Sequence, residues 1–137
     1  MTSVVLPSDI RLRPTQLADV QSLFQFQLDV ESNRMAGTKP RDRHAFTARW
    51  EEILRDPCDA GVTPRVIVAN GELVGSINIV REAGREWIGY WIARKQWGRG
   101  IATKAVGLML DEVRSRPIFA RAAGSNTASL RVLEKNG

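Results

Sequence analysis

The residues best suited to chemistry lie in one stretch, Trp91-Ile-Ala-Arg-Lys-Gln-Trp-Gly-Arg-Gly-Ile-Ala-Thr-Lys-Ala105. An apolar, aromatic run ends at Ala93, and a helical pattern begins at Ile101, with Gly98 and Gly100 between them. The start of a helix offers backbone N–H groups without internal partners and a partial positive charge, which together seat a phosphate. Glycines there keep side chains out of the anion's way. Arg99 and Lys104 add formal charge at the same place, so the stretch has the composition of a pyrophosphate seat. A tight strand-to-helix turn would use the same two glycines without any ligand.

Two better-known phosphate loops do not fit. No Gly-x-x-x-x-Gly-Lys-(Ser/Thr) occurs, and Gly98-x-Gly100 lacks the third glycine of a dinucleotide fingerprint. No His, Cys and carboxylate cluster has metal-ligand spacing, so no metal is expected. Cys58 has neither a partner cysteine nor a neighbouring histidine, which argues against both a disulfide and a nucleophile.

The elements that must position this stretch follow from periodicity. Ile10 and Leu12 alternate with Arg11 and Arg13 in a short strand ended by Pro14. Thr15 is the expected cap of a helix carrying Leu17, Val20, Phe24 and Leu28. Asp42 caps a second, with Phe46, Trp50, Ile53 and Leu54 on one face and Asp56-Pro57 as the stop. The period then becomes extended. Residues 65–69, a turn at Asn70-Gly71, residues 72–81, a turn at Ala83-Gly84 and residues 85–93 make a three-strand antiparallel meander. A helix over 101–115 separates this from a strand at 118–122, which is therefore expected to be parallel. Asn126 opens a last helix with Leu130 and Leu133.

The chain has 137 residues, 43% apolar and 26% charged, the profile of one globular domain, residues 1–137, without linkers or repeats. No apolar run approaches the length of about 18 residues that a membrane helix needs. Residues 1–10 lack the basic start and apolar block of a secretory signal, so a cytoplasmic location is expected. The net charge of +5 comes from twenty cations, sixteen of them arginine, and favours an anionic partner. Arg94, Lys95, Arg99 and Lys104 lie close together in sequence while the rest are scattered, which suits a compact polyanion better than a long nucleic-acid groove.

Lys95-Gln96-Trp97-Gly98-Arg99-Gly100 resembles the (Gln/Arg)-x-x-Gly-x-(Gly/Ala) signature of the GNAT N-acetyltransferases, with Lys in the first place. Ile88-Gly-Tyr-Trp-Ile92, the Arg11-Leu-Arg-Pro14 opening and Asn126-Thr-Ala-Ser-Leu-Arg-Val-Leu-Glu-Lys-Asn-Gly137 are similar to the branch containing ribosomal-protein N-terminal acetyltransferases. These separated motifs, in the family's order, cover nearly the whole chain.

The resemblance implies an α/β fold, a mixed and mainly antiparallel sheet flanked by helices in the order β-α-α-β-β-β-α-β-α. The family's last two strands would follow Gly137, and a chain ending there is expected to pair through its open edge as a homodimer. Acetyl-CoA is the implied cosubstrate and a primary amine, either a protein N-terminus or a small amine, the acceptor. The backbone of Ile92, Ala93 and Arg94 would hold the pantetheine arm. The amides of Gln96, Trp97, Gly98, Arg99, Gly100, Ile101 and Ala102 would hold the pyrophosphate. An N–H near Ile92 would face the thioester oxygen. Asn126 and Ser129 would meet the cofactor arm, Ser129 stabilising or protonating the thiolate, although Asn126 also serves as a helix cap.

Relatives carry a carboxylate where this chain has Trp87. Glu86 is the neighbouring candidate for the base, but strand alternation turns it to the other face. Glu82 reads as a turn residue and His44 as a second candidate on a helix. Two other functions stay open: a CoA-binding protein with little or no catalysis, and, from charge alone, a basic nucleic-acid-binding module.

Overall fold

A computed structural model describes residues 9–36, 39–97 and 99–120. Five strands form one sheet in sequence order: β1 (Ile10–Pro14), β2 (Val62–Ala69), β3 (Glu72–Glu82), β4 (Arg85–Ile92) and β5 (Ile118–Ala120). β1 to β4 are antiparallel neighbours, and β5 pairs parallel to β4. The two hairpin turns have the backbone their residues predict. Asn70 and Gly71 have φ of 50° and 82°, Ala83 and Gly84 of 53° and 75°. Positive φ at both central residues matches the twist of the flanking strands.

Helices cover both faces. On one lies α5 (Ile101–Glu112), whose Ile101, Ala105, Val106 and Met109 pack on Ile67, Ile77, Ile79 and Ile88 of the sheet. On the other lie α1 (Val20–Gln27) and α3 (Arg43–Arg55), where Val20, Leu23, Trp50 and Ile53 cover Val62 and Val66. Burial on both sides explains why Val66-Ile67-Val68-Ala69 is apolar without alternation. Asp42 caps α3 as expected, its carboxylate accepting from the Ala45 N–H at 2.9 Å.

The N-terminal helical region departs from the sequence reading in three places. Thr15 is not the cap. It is buried, its hydroxyl has no hydrogen-bond partner, and Gln16 precedes a 3-10 turn (Leu17–Asp19) leading into α1. A further helix, α2 (Val30–Ala36), follows α1. A one-turn helix, α4 (Pro57–Ala60), carries Cys58 directly beyond the expected stop at Asp56-Pro57. The second half of the last expected strand and the last expected helix fall outside the described residues.

Asp19 locks β1 to this region. Its carboxylate accepts from Arg13 Nη1 and Nη2, both at 2.8 Å, and from the Gln16 N–H at 2.8 Å, while only 7% exposed. The Arg13 hydrogen bond, outweighing desolvation, holds this carboxyl below the ordinary range. A depressed folded-state pKa contributes stability above the unfolded value of about 3.9, lost as pH falls through the folded value. Asp19→Ala is therefore expected to cost about 2 kcal/mol near neutrality, the usual cost of losing a charge-assisted hydrogen bond. Urea unfolding should show that difference shrinking below pH 4. A difference independent of pH would assign the loss to packing alone.

Candidate active site

β4 delivers the chain to the site and α5 takes it away. Just past β4, Ala93 donates its N–H to the Val74 carbonyl at 2.8 Å, so here the amides of odd-numbered residues face β3. Alternation then turns the N–H and C=O of Ile92 to the opposite side, toward β5. The described β4–β5 pairs are Glu86–Ile118, Trp87–Phe119 and Ile88–Ala120. Tyr90 and Ile92 thus aim backbone groups past the last of these. The Ile92 carbonyl accepts from Trp97 Nε1 at 2.9 Å, which fixes the following turn against the strand end. Trp97 itself is 39% exposed.

A single 3-10 turn (Arg94–Gln96) follows, with the Gln96 N–H donating to Ala93 and the Trp97 N–H to Arg94. Gln96 is buried and its Oε1 accepts from Arg99 Nη1 at 2.6 Å, so it orients a guanidinium beside the start of α5. Gly100 is the N-cap of α5, with φ of 74° and no side-chain cap. The first-turn amides of this helix are therefore not satisfied by a capping side chain. Only a residue without Cβ adopts that φ at no steric cost. Lys104 is exposed at the end of the first turn.

The cationic cluster legible in the sequence is partly committed on the protein. Arg94 Nε lies 3.4 Å from Asp29 Oδ1, and Lys95 Nζ 3.4 Å from Glu72 Oε1. The Asp29 carboxyl is held below its usual range, chiefly by the Ser32 hydroxyl. Arg94 thus ties the strand-end turn to the start of α2, while Arg99, oriented by Gln96, and Lys104 stand beside the helix mouth.

Ile92, Ala93, Arg94, Gln96, Trp97, Arg99, Gly100, Ile101 and Ala102 come together at this strand-to-helix junction. Gly98, Asn126 and Ser129 lie outside the described residues. Glu86 is not brought to the junction. It precedes Ile92 by six residues, roughly 20 Å along a strand at about 3.3 Å per residue. It also faces Arg81 across the hairpin, with Arg81 Nη2 at 3.8 Å, on the α5 side of the sheet. His44 is exposed at the start of α3.

One residue at the junction was missed. Gly75 pairs with Ile92 beside a β-bulge, where β3 places Val74 between the partners of Ile67 and Val68. A Cβ on Gly75 would fall inside van der Waals distance of the Trp91 carbonyl oxygen and 3.2 Å from the Ile92 Cα. The sequence signal was an isolated glycine in a valine- and isoleucine-rich strand, which marks a bulge or a close backbone approach.

A model of the acetyltransferase (GNAT) domain matches residues 9–137. Among curated proteins, an uncharacterised N-acetyltransferase p20 of Bacillus licheniformis is 26% identical, covering 90% of this chain and 75% of the relative. Among solved structures, RimJ of Mycobacterium smegmatis in complex with CoA-disulfide is 29% identical, with a TM-score of 0.74 over 91% of this chain and 68% of that one. Spermidine N-acetyltransferase of Vibrio cholerae, in complex with CoA and spermine, is 17% identical. It superposes with a TM-score of 0.79 over 95% of this chain and 80% of that one, a likeness of fold.

Proposed function

We propose that this chain, which belongs to the acetyltransferase (GNAT) family, moves an acetyl group from acetyl-CoA to a primary amine by direct transfer in a ternary complex. The observation that carries this is the start of α5, with a left-handed glycine N-cap, no capping side chain and two cations beside it. Such a mouth fits a diphosphate, and nothing on its described rim repels one. The amides of Arg99 to Ala102 would hold the pyrophosphate, those of Gln96 and Trp97 being engaged within the 3-10 turn, and the β5-facing backbone of Ile92 the pantetheine arm. The N–H of Ile92, turned to the β5 side, is the donor proposed for the thioester oxygen as charge develops there.

Acetyl-CoA supplies an activated carbonyl: the amine nitrogen bonds to it, the carbon–sulfur bond breaks, and the thiolate takes a proton. Ser129, by its place in the Asn126-x-x-Ser129 motif, is the proposed partner of that thiolate. The proton on the attacking nitrogen leaves through water, since Glu86 lies six residues before Ile92 and away from the junction. The position of Trp87, where relatives carry a carboxylate, also favours a second reading, CoA binding with little turnover.

Calorimetric titration with CoA and thiol release from acetyl-CoA across an amine panel test both. Binding with amine-dependent thiol release is the expected result. Binding with no release from any amine would establish the second reading, and no binding would sink both. Among the described residues no helix is long and apolar enough to cross a membrane.

A further inference from the structure

Beside the junction, on the face covered by α1 and α3, the sheet carries a slot whose chemistry differs from that of the cationic helix mouth. Asn78 and Gly89 are paired across β3 and β4, so they share a face. A Cβ built on Gly89 meets nothing within 4 Å, so the space above this glycine is open. By alternation Trp87 and Trp91 stand on the same face two residues to either side. Trp91 Nε1 donates to the Phe26 carbonyl at 3.1 Å and is fixed against α1. Trp87 packs on Phe119 with ring centroids 5.4 Å apart.

On the same face, reached through Asn78 and Trp91, a cavity of ≈ 280 Å³ is bounded by Leu23, Phe26, Phe46, Trp50, Asn78 and Trp91 among others, none of them charged. Asn78 Oδ1, in this wall, is buried and has no hydrogen-bond partner. Gly89 precedes Ile92 by three residues, roughly 10 Å of strand, which puts the slot within a side chain's reach of the proposed thioester position.

We infer that this slot selects the acceptor: a primary amine bearing one large apolar group, aromatic above all, rather than a polycation. The inference rests on the acetyl-transfer reading for the reaction but not for the binding. Aromatic walls and an uncharged lining favour burial of a ring or branched chain. A second ammonium carried into the same cavity would lose hydration without a counter-charge. Two sources offer the shared chemistry, an arylalkylamine and a peptide with an aromatic or leucine N-terminus. Only the peptide has an amide N–H to give to Asn78 Oδ1.

The test compares phenethylamine, phenylalanyl-alaninamide, glycinamide, spermine and kanamycin, by thiol release and by saturation-transfer NMR of the amine on the protein. The two aromatic amines should exceed spermine and kanamycin at least about tenfold in kcat/KM. Gly89→Leu fills open space and should cut kcat/KM for both aromatic amines about 100-fold, leave glycinamide within threefold and leave CoA affinity unchanged. Asn78→Ala should weaken the peptide and spare phenethylamine; equal weakening of both would leave the ring as the recognised feature and exclude the peptide source. Preference for spermine or kanamycin, or equal losses for large and small amines in Gly89→Leu, overturns the inference. Should no amine be turned over, the NMR arm decides. Saturation transfer to phenethylamine that is strong in the parent protein and vanishes in Gly89→Leu upholds the slot while the transfer reading falls. No saturation transfer in the parent protein sinks the slot. Should Gly89→Leu fail to fold, Gly89→Ala carries the comparison.

Discussion

Gly100→Asp is expected to weaken CoA binding at least about 100-fold, close to 3 kcal/mol. The carboxylate would stand at the mouth of α5, among the amides proposed for the pyrophosphate. Two unit charges about 4 Å apart near a protein surface repel by up to about 4 kcal/mol. Gly100→Asn is the control that isolates charge from backbone strain. Asparagine tolerates the left-handed φ of 74° about as well as aspartate does, and it carries no charge. Calorimetry should find the Asn variant within tenfold of the parent. Equal losses in the two variants would mean that shape at the helix mouth matters and its field does not, which would remove the main support for a diphosphate ligand.

Gly75→Ala is the second large effect, and it strikes the fold as well as the site. Its methyl would be driven against backbone atoms of Trp91 and Ile92, which have no rotamer to retreat into. Overpacking of this kind costs about 3 kcal/mol, at the upper end of its usual range. For a domain of this size that lowers Tm by about 10 °C. Any accommodation must move β4 away from β3 at Ile92, so the KM for acetyl-CoA should rise even well below the melting temperature. Differential scanning calorimetry and steady-state kinetics check the two parts separately. An unchanged Tm would show that the bulge yields and that glycine is dispensable there.

The fold was legible wherever one local pattern decided the outcome. α3 announced itself through Asp42 and an apolar stripe. Both hairpins did so through a residue pair tolerant of positive φ, and α5 through the glycines that precede it. α2 was not legible because it lacks a stripe. Val30 at its start is exposed, and Asp29 holds the first turn by accepting from the Ser32 amide and hydroxyl, both at 2.8 Å.

At the site, sequence located the strand-to-helix junction and the residues gathered there, but not which polar groups were already engaged. Whether Arg94 serves a ligand or Asp29, and whether the Ile92 carbonyl is open or held by an indole, depends on how distant elements meet. Alternation did foresee that Glu86 turns away from the face of Trp87. The register with Arg81 places it on the α5 side of the sheet.

The Ala83-Gly84 turn has a practical meaning for anyone engineering this chain. Alanine at φ 53° is strained by about 1 kcal/mol, and its position is exposed at the end of the sheet remote from Ile92. Ala83→Asn would relax that corner and should raise the urea midpoint without altering turnover. The gain would be a reserve of robustness on which riskier changes to acceptor choice could draw.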